Sequence, residues 1–445
     1  MATGSKKISL AKYLKAVDKN SPVKVRGRVV EVTGLVIEAT VPGVRVGDAV
    51  DIHRHHTSEP LIAEVVGFRQ DRVLLMPLGD MDAIGPDSEV IPHGSPLTVK
   101  VGPKILGRVL NGIGEAIDTA TKGPLEWETE YPVMADPPDP LTRKRVLNSL
   151  SVGVRAIDGC LTVGEGQRIG FFAGAGVGKS TLMGMIARNC EAEINVVGLI
   201  GERGREVLDF IEESLGEGMK KSVVVVATSD RPSLVRKKAA YTATAICEYF
   251  RDQGKKVLLM MDSVTRFARA QREVGLAIGE PPARQGYTPS VFSELPRMLE
   301  RSGNSKDGSI TAFYTILAPG GDMSDPVAEE VKSILDGHIV MDAKLGARNH
   351  WPAIDVTKSL SRVMTTVAPA EHCKANGLLR EVLATYEKNR DLIAIGAYER
   401  GSDKRTDWAL DKIDVCEQFL RQRTLENPVF GETVDQLKAL FPGEM

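Results

Sequence analysis

Hydrophobic and polar positions change their rhythm along the chain. Between residues 23 and 101, short β-branched runs alternate with Gly, Pro and Asp turns, as in VKVRGRVVEV, VPGVRVGD and RVLLMPL. Closely spaced strands without a helical period are typical of small barrels. The pattern therefore predicts an N-terminal β-barrel domain over residues 23–101.

A different hydrophobic pattern follows a Gly- and Pro-rich connection at residues 102–150. Near-continuous apolar runs appear as QRIGFF, INVVGLIG, VVVVAT, KVLLMMD, SITAFYTIL and GHIVMD. Such runs are typical of strands buried on both faces of a parallel sheet. SLVRKKAAYTATAICEYFRDQG separates two of them with an apolar stripe at helical spacing, which indicates a βαβ unit. We expect an α/β domain with a mostly parallel sheet over 102–370, and the basic cluster at 236–238 to face solvent.

Helical periodicity dominates both ends of the chain. LLREVLATYEKNRDLIAIGAY, DWALDKIDVCEQFLRQR and GETVDQLKALF predict a helical domain over 371–445. Near the start, Leu10, Tyr13, Leu14 and Val17 share one face opposite lysines, which predicts an amphipathic docking helix within 1–22. It could dock on a partner protein or lie on a membrane surface, and the alternative is a frayed terminal helix.

Composition narrows the possible classes. The 445 residues suffice for roughly two to four domains, and no apolar run approaches the ~18 residues of a membrane span. The start lacks the features of a secretory signal, so we expect a cytoplasmic protein. Five scattered cysteines without a C-x-x-C pair argue against a disulfide framework or a zinc ribbon. A net charge of −2 offers no basic field, so no nucleic-acid partner is expected.

One short histidine-rich stretch could suggest a metal. HRHH contains His53, His55 and His56, but no further residues complete a closed ligand set. We therefore expect a solvated turn there.

The stretch FFAGAGVGKSTLMG at 171–184 carries the first chemical motif. It nearly matches G-x-x-x-x-G-K-[ST], with Ala173 replacing the first glycine, between an apolar strand and a helical run. Its glycines let backbone N–H groups turn toward phosphate oxygens, and the helix N-terminus adds partial positive charge. Lys179 would bridge the β- and γ-phosphates of ATP, and Ser180 would bind Mg²⁺. The motif predicts a phosphate loop.

Carboxylates follow two further apolar runs. Asp262 ends KVLLMMD, at the carboxyl edge where α/β sheets bind ligands, as in a Walker-B motif that holds the magnesium shell. A helix N-cap is the alternative for an isolated Asp, but the upstream phosphate loop favours the Walker-B role. Glu202 follows INVVGLIG with Arg203 and could polarise a water molecule, the alternative being a surface ion pair.

HWPAIDVTKSLSRVM supplies two further candidates. Trp351 could stack on adenine, and Arg362 could neutralise phosphoryl charge across a subunit boundary. This stretch alone does not separate those roles from a packing Trp and a structural Arg.

These elements, in this order, resemble the rotary-type hexameric ATPases, which include ATP synthase subunits, Rho-type RNA translocases and type III protein-export ATPases. The resemblance covers nearly the whole chain, implies a RecA-like central domain, and is greatest with the export ATPases of flagella and injectisomes. The stretches that carry it are RVLNGIGEAID, AAYTATAICEYFRDQGKKVLLMMDSVTRFARAQREV, GEPPARQGYTPSVFSELPRMLERSG, SILDGHIVMD and DLIAIGAYERGSD.

The resemblance implies a role for each candidate. Glu202 matches the carboxylate that orients water, Arg203 an adjacent phosphate contact, and Asp262 the Walker-B aspartate. Arg362 matches a finger that reaches into a neighbouring protomer's site, and Trp351 replaces a tyrosine that contacts adenine. The loop LAPGGDMSDPV is less acidic than the family pattern. The implied nucleotide contacts are Gly174, Ala175, Gly176, Val177, Gly178, Lys179, Ser180, Thr181 and Trp351, with Ser180 and Asp262 as metal ligands.

The implied function is an ATP-hydrolysing homohexamer at the inner-membrane gate of a type III export system. It would release or unfold substrates from chaperones, with its N-terminus docked on a stalk-like regulator. One alternative is the catalytic subunit of a rotary ATP synthase, which has an acidic rotor-contacting segment where this chain has IGAYERGSDKRTD. Another is a Rho-type RNA translocase, but residues 23–101 contain one Phe and no Tyr or Trp for an RNA surface.

Overall fold

The computed structural model describes residues 25–54, 59–174, 176–318 and 324–444. The predicted docking helix within 1–22, His55, His56 and Ala175 lie outside the described residues. The chain divides into two compact units, one ending at Pro96 and the other beginning at Leu97. Among the described helices, none combines the length and apolar character needed to cross a membrane.

The strands are β1 (Gly27–Thr33), β2 (Val36–Thr40), β3 (Asp48–Ile52), β4 (Leu61–Arg69), β5 (Arg72–Pro77), β6 (Glu89–Pro96), β7 (Thr98–Val101), β8 (Val109–Asn111), β9 (Thr129–Pro132), β10 (Arg168–Ala173), β11 (Ile194–Ile200), β12 (Ser222–Ala227), β13 (Lys256–Asp262), β14 (Gly303–Asn304), β15 (Ser309–Leu317), β16 (Gly337–Met341) and β17 (Ile354–Ser361). The helices are α1 (Thr119–Lys122), α2 (Arg155–Cys160), α3 (Lys179–Asn189), α4 (Gly204–Asp209), α5 (Ser233–Arg251), α6 (Val264–Ala277), α7 (Pro289–Leu299), α8 (Pro326–Ile334), α9 (Ala343–Ala347), α10 (Met364–Val367), α11 (Ala370–Ala394), α12 (Lys404–Leu420) and α13 (Phe430–Ala439).

The first unit contains a closed barrel with strand order β1-β2-β5-β4-β3-β6. Closure leaves the sheet without a free edge, and the side chains that point inward form an apolar core. The core includes Val29, Ile37, Ala39, Val50, Ile52, Ala63, Val65, Leu75 and Val90. The prediction of an N-terminal β-barrel is confirmed.

The second unit is built on a sheet with strand order β17-β16-β10-β15-β13-β11-β12-β8, and β14 pairs with β15. All neighbours from β16 to β8 run parallel, whereas β17 runs antiparallel to β16. The strands β11 and β12 are buried along their whole length, as expected for strands covered on both faces. The predicted α/β domain with a mostly parallel sheet is confirmed.

Three helices, α11, α12 and α13, follow the sheet and confirm the predicted helical region. Asp403 caps α12 by accepting from the backbone N–H groups of Arg405 and Thr406. The long helix α11 ends at Ala394, earlier than its periodicity suggested, because Gly396 turns the chain with φ 71°. Apolar residues of these helices, among them Leu379, Val382, Ala409, Ile413, Phe419 and Leu437, share one core with the sheet domain.

The expectation that the basic cluster at 236–238 faces solvent is wrong. Lys238 is 2% exposed, and the first two cations are ion-paired, Arg236 with Glu273 of α6 and Lys237 with Glu294 of α7. Helix α5 packs against the sheet and against α6 and α7, so three consecutive positions cannot all reach water.

The buried Arg301, which follows α7, links its own segment to helix α5 and to the connection after β9. Arg301 is fully buried, and its Nε donates to Glu248 Oε1 of α5 at 3.0 Å. Its Nη1 donates to the carbonyl of Val133 at 2.7 Å, in the connection after β9. Because both charges lie out of water, removing Arg301 deprives Glu248 of its hydrogen-bonded cation and leaves it with Arg251 at 3.9 Å.

We therefore predict that Arg301→Ala lowers the free energy of unfolding by about 3–5 kcal/mol. The matched control is Arg297→Ala, a largely exposed arginine at the end of α7, which should change the free energy of unfolding by less than about 0.5 kcal/mol. Urea unfolding of the two variants measures the difference. Equal shifts would contradict a specific role for the buried pair.

Candidate active site

The phosphate loop lies between β10 and α3. Gly176 and Gly178 adopt φ values of 76° and 80°, in the left-handed region that favours glycine. Gly178 is the residue before α3, so the N–H groups of the following turn have no partner within the helix. Ser180 and Thr181 are exposed on this first turn. The loop therefore presents free backbone donors and two hydroxyls at one helix N-terminus, which suits an anion.

Lys179 lies against the Walker-B aspartate. Its Nζ is 2.5 Å from Oδ1 of Asp262, which ends β13 and is 4% exposed. The same Oδ1 accepts from the hydroxyl of Thr315 on the neighbouring strand β15, at 2.7 Å. The lysine and the carboxylate thus neutralise each other, and the threonine fixes the orientation of the carboxylate.

Glu202 lies beside this pair. It follows β11, is 7% exposed, and its Oε1 accepts from Nε of Arg266 at 3.1 Å. Burial and the negative charge of Asp262 raise the pKa of Glu202 to about 7, while Lys179 and Arg266 act in the opposite direction. A carboxylate with this pKa changes charge near neutral pH, where a general base is most useful.

Two predicted site residues lie apart from this cluster. The Arg203 side chain is 79% exposed and pairs with Glu206 at 3.5 Å. Arg362 follows β17 and donates its backbone N–H to the carbonyl of Asp336, just before β16. Arg362 lies beside the start of β16, and β16 runs parallel to β10. Arg362 therefore lies at the amino ends of these strands, whereas the phosphate loop follows the carboxyl end of β10. A strand as long as β10 spans about 20 Å, so Arg362 cannot reach the loop of its own chain.

Trp351 is placed next to the loop. A Cβ built on Gly178 would lie 2.9 Å from the Trp351 ring, so glycine permits the close approach of the ring. Trp351 is 39% exposed and lines a groove of about 1000 Å³, together with Phe419 and Gln422 of the helical region. The backbone N–H of Gln422 donates to the Trp351 carbonyl at 2.9 Å, which ties the two walls together. The groove could hold a planar base beside the phosphate loop.

The residues present fit a magnesium ion that binds with a nucleotide. Ser180 and Asp262 offer one hydroxyl and one carboxylate, and Mg²⁺ usually takes few protein oxygens and fills its shell with waters and phosphates.

Sequence reasoning missed Arg266 and Thr315. Arg266 lies four residues after Asp262, on the first turn of α6, which is the spacing that could have revealed it. Thr315 is a hydroxyl within the otherwise apolar run SITAFYTIL. Their contacts with Glu202 and Asp262 join elements that are more than 50 residues apart in sequence, so no local pattern contains these contacts.

A phosphate loop, a carboxylate at the end of β13 and a second carboxylate after β11 define the class of P-loop nucleoside-triphosphate hydrolases. Residues 29–94 match the beta-barrel domain of the ATP synthase alpha/beta family, and residues 153–361 match its nucleotide-binding domain. Residues 368–439 match the T3SS EscN ATPase C-terminal domain.

Individual relatives agree with these domain matches. The chain is 51% identical to the type 3 secretion system ATPase of Xanthomonas euvesicatoria, over 93% of either chain. It is 50% identical to the flagellum-specific ATP synthase of Bacillus subtilis, over 96% of this chain and 98% of the relative. The assembled ATPase EscN of enteropathogenic E. coli has a TM-score of 0.87 and 45% identity over 93% of this chain and 99% of EscN.

The chain therefore belongs to the family of type III secretion and flagellum-specific ATPases, and it is an ATP-hydrolysing enzyme. The resemblance to the export ATPases is confirmed, and the comparisons do not support the synthase-subunit or Rho-type alternatives.

The pKa of Glu202 leads to a prediction about pH. Since a carboxylate accepts a proton from water only when ionised, kcat/KM should rise as the pH increases through about 7. Arg266→Gln removes a cation that lowers the pKa of Glu202, so the rise should move to higher pH. Arg205→Gln, which removes an exposed cation paired with Asp209, is the control and should leave the profile in place. A profile unchanged by Arg266→Gln would contradict the assignment of this rise to Glu202.

Proposed function

We propose that this chain hydrolyses ATP to drive protein export through a type III system, releasing or unfolding substrates from their chaperones. The observation that carries the proposal is the match of the C-terminal helices to the EscN C-terminal domain. In the same chain, the phosphate loop lies beside the carboxylates of Asp262 and Glu202. Relatives at about equal identity include a type 3 secretion system ATPase and a flagellum-specific ATP synthase, so the proposal covers either kind of system.

ATP binding begins with an exchange of partners at Lys179. The β- and γ-phosphates accept hydrogen bonds from the phosphate loop and from the first turn of α3, and Lys179 turns from Asp262 toward them. Asp262 and Ser180 would hold Mg²⁺, which would supply positive charge to the phosphate oxygens. The adenine ring lies against Trp351, in the groove that Phe419 and Gln422 line.

Hydrolysis follows from the position of Glu202. Its carboxylate orients a water molecule and takes its proton as the water oxygen attacks the γ-phosphorus, and the bond to the bridging oxygen of ADP breaks. Arg266 holds Glu202 in place through its hydrogen bond. Arg203 is proposed as a further phosphate contact once it leaves Glu206.

We propose that a further positive charge at the γ-phosphate comes from a second protomer. Arg362 lies at the edge of the sheet away from its own phosphate loop, so we propose that it serves the site of a neighbour in a homohexamer. Each interface then contributes one phosphate loop and one arginine. Hydrolysis removes the contact between them, and the helical domain moves in consequence.

The proposed partners follow the same family. A structure of EscN in complex with its central stalk EscO has a TM-score of 0.86 to this chain, and we propose a stalk-like partner here as well. The predicted helix within residues 1–22, export chaperones with their substrates, and the export gate complete the proposed assembly at the cytoplasmic face of the inner membrane.

We predict that Arg362→Ala lowers kcat by about 10³-fold or more while nucleotide affinity stays nearly unchanged. Arg390→Ala, which removes an arginine from a surface pair with Glu387 on α11, is the matched control. Turnover and the binding of a fluorescent nucleotide analogue measure the two effects. Specific activity of the unmodified chain should also climb with protomer concentration. Normal turnover in Arg362→Ala would overturn the finger assignment.

The export function itself is tested in the native cell. Chromosomal Lys179→Ala should abolish secretion of the type III substrates, and purification of the tagged unmodified chain should yield a stalk-like protein and export chaperones. A second, non-catalytic ATPase subunit in equal amount would instead place the chain in a rotary synthase.

A further inference from the structure

A buried glutamine lies at the amino end of β10, opposite to the end that carries the phosphate loop. Gln167 is 0% exposed, and its Oε1 accepts from the backbone N–H of Gly164 at 2.9 Å. Its Nε2 donates to the Asp336 carbonyl at 3.0 Å and to Oγ of Ser361 at 3.2 Å. The amide therefore uses every donor and its acceptor on backbone or hydroxyl groups, as a buried amide requires.

The same partners hold the backbone at Arg362. The carbonyl of Asp336 that accepts from Gln167 also accepts the backbone N–H of Arg362, at 3.0 Å. Ser361 directly precedes Arg362, and its hydroxyl donates to the Thr162 carbonyl at 2.9 Å. Gln167 is thus linked to both sides of the Arg362 amide, through the Asp336 carbonyl and the Ser361 hydroxyl, while Arg362 itself is exposed.

Two neighbours reinforce this arrangement. A Cβ on Gly337 would lie 3.1 Å from Nε2 of Gln167, so the glycine leaves room for the amide. Arg168, the first residue of β10, donates from Nε to Oδ2 of Asp336 at 3.0 Å. Asp336 is therefore held through both its carbonyl and its carboxylate, and both contacts come from the start of β10.

We propose that Gln167 is a positioning residue for Arg362, an inference that rests on the proposed role of Arg362 as a finger in a neighbouring site. Strand β10 then carries its own phosphate loop at the carboxyl end and fixes, at the amino end, the arginine offered to the next protomer. A shift of β10 when nucleotide binds moves the finger, so two adjacent sites of the ring are linked through one strand.

Loss of the amide should disturb catalysis more than binding. A misplacement of about 1 Å in a catalytic group can lower the rate by about 100-fold. Gln167→Met, which keeps the length but removes all three hydrogen bonds, should lower kcat by about tenfold to 100-fold, with nucleotide affinity within about twofold of the unmodified chain. Ser361→Ala, which removes one of the three bonds of the Gln167 amide together with the bond from Ser361 to the Thr162 carbonyl, should show a smaller loss of the same kind. Gln271→Met removes another buried glutamine, hydrogen-bonded to Ser290 on α7, and controls for a general loss of stability.

Mixed rings separate a trans effect from a cis effect. Differently tagged chains are co-expressed, doubly purified, and assayed for single-turnover hydrolysis, which needs only one complete interface. Lys179→Ala has a dead site but an intact finger, and Arg362→Ala has the reverse. Their mixture should hydrolyse ATP about tenfold faster, or more, than either chain alone. If it does not, the proposed trans finger fails, whatever Gln167 does.

With that control in place, the behaviour of Gln167→Met decides the inference. If the amide positions the finger, mixing with Lys179→Ala restores hydrolysis and mixing with Arg362→Ala does not. If the amide instead supports its own phosphate loop, the pattern is reversed: Arg362→Ala restores hydrolysis and Lys179→Ala does not. The reversed pattern, or a kcat for Gln167→Met equal to that of the unmodified chain, would overturn the inference.

Discussion

The common direction of the strands from β16 to β8 decides where chemistry can occur in this molecule. Because parallel strands end at the same edge, the residues that follow β10, β11 and β13 meet there although they are far apart in sequence. Lys179, Glu202 and Asp262 come together in this way. The antiparallel strand β17 ends beside the amino ends of the parallel strands, and Arg362 follows it there. A single sheet thus separates the phosphate loop from Arg362, which is why we propose that a complete site needs two protomers.

Cations and carboxylates are paired within the protein at the carboxyl ends of the strands. Lys179 contacts Asp262, and Arg266 contacts Glu202, so two cations face two carboxylates in a largely buried cluster. Partners at hydrogen-bond distance offset the penalty of removing these charges from water. We propose that the negative charge of a bound nucleotide competes for Lys179 and leaves Asp262 ready for a cation. The raised pKa of Glu202 belongs to the same cluster of charges.

Features of the fold and of the site that depend on local sequence patterns could be predicted from the sequence. The phosphate loop requires glycines at Gly176 and Gly178 and a helix directly after them, so the motif and its structure coincide. Strands buried on both faces are recognisable as apolar runs. Thr315 and Gln167 could not be found in this way, because each acts through a partner from another strand, whereas the spacing of Arg266 after Asp262 could have revealed that residue. The burial of Lys238 depends on how α5 packs between neighbours, which the charge pattern does not contain. The roles of Arg203, Arg362 and Trp351 stay predictions.

A structure of the assembled chain with Mg²⁺, ADP and aluminium fluoride would test the central claim, that two protomers complete each site. We predict that Arg362 of one protomer donates to the fluoride ligands bound by its neighbour, with Lys179 moved from Asp262 to the phosphates. An analogue surrounded by groups of a single protomer, with Arg362 distant from every bound nucleotide, would contradict the account.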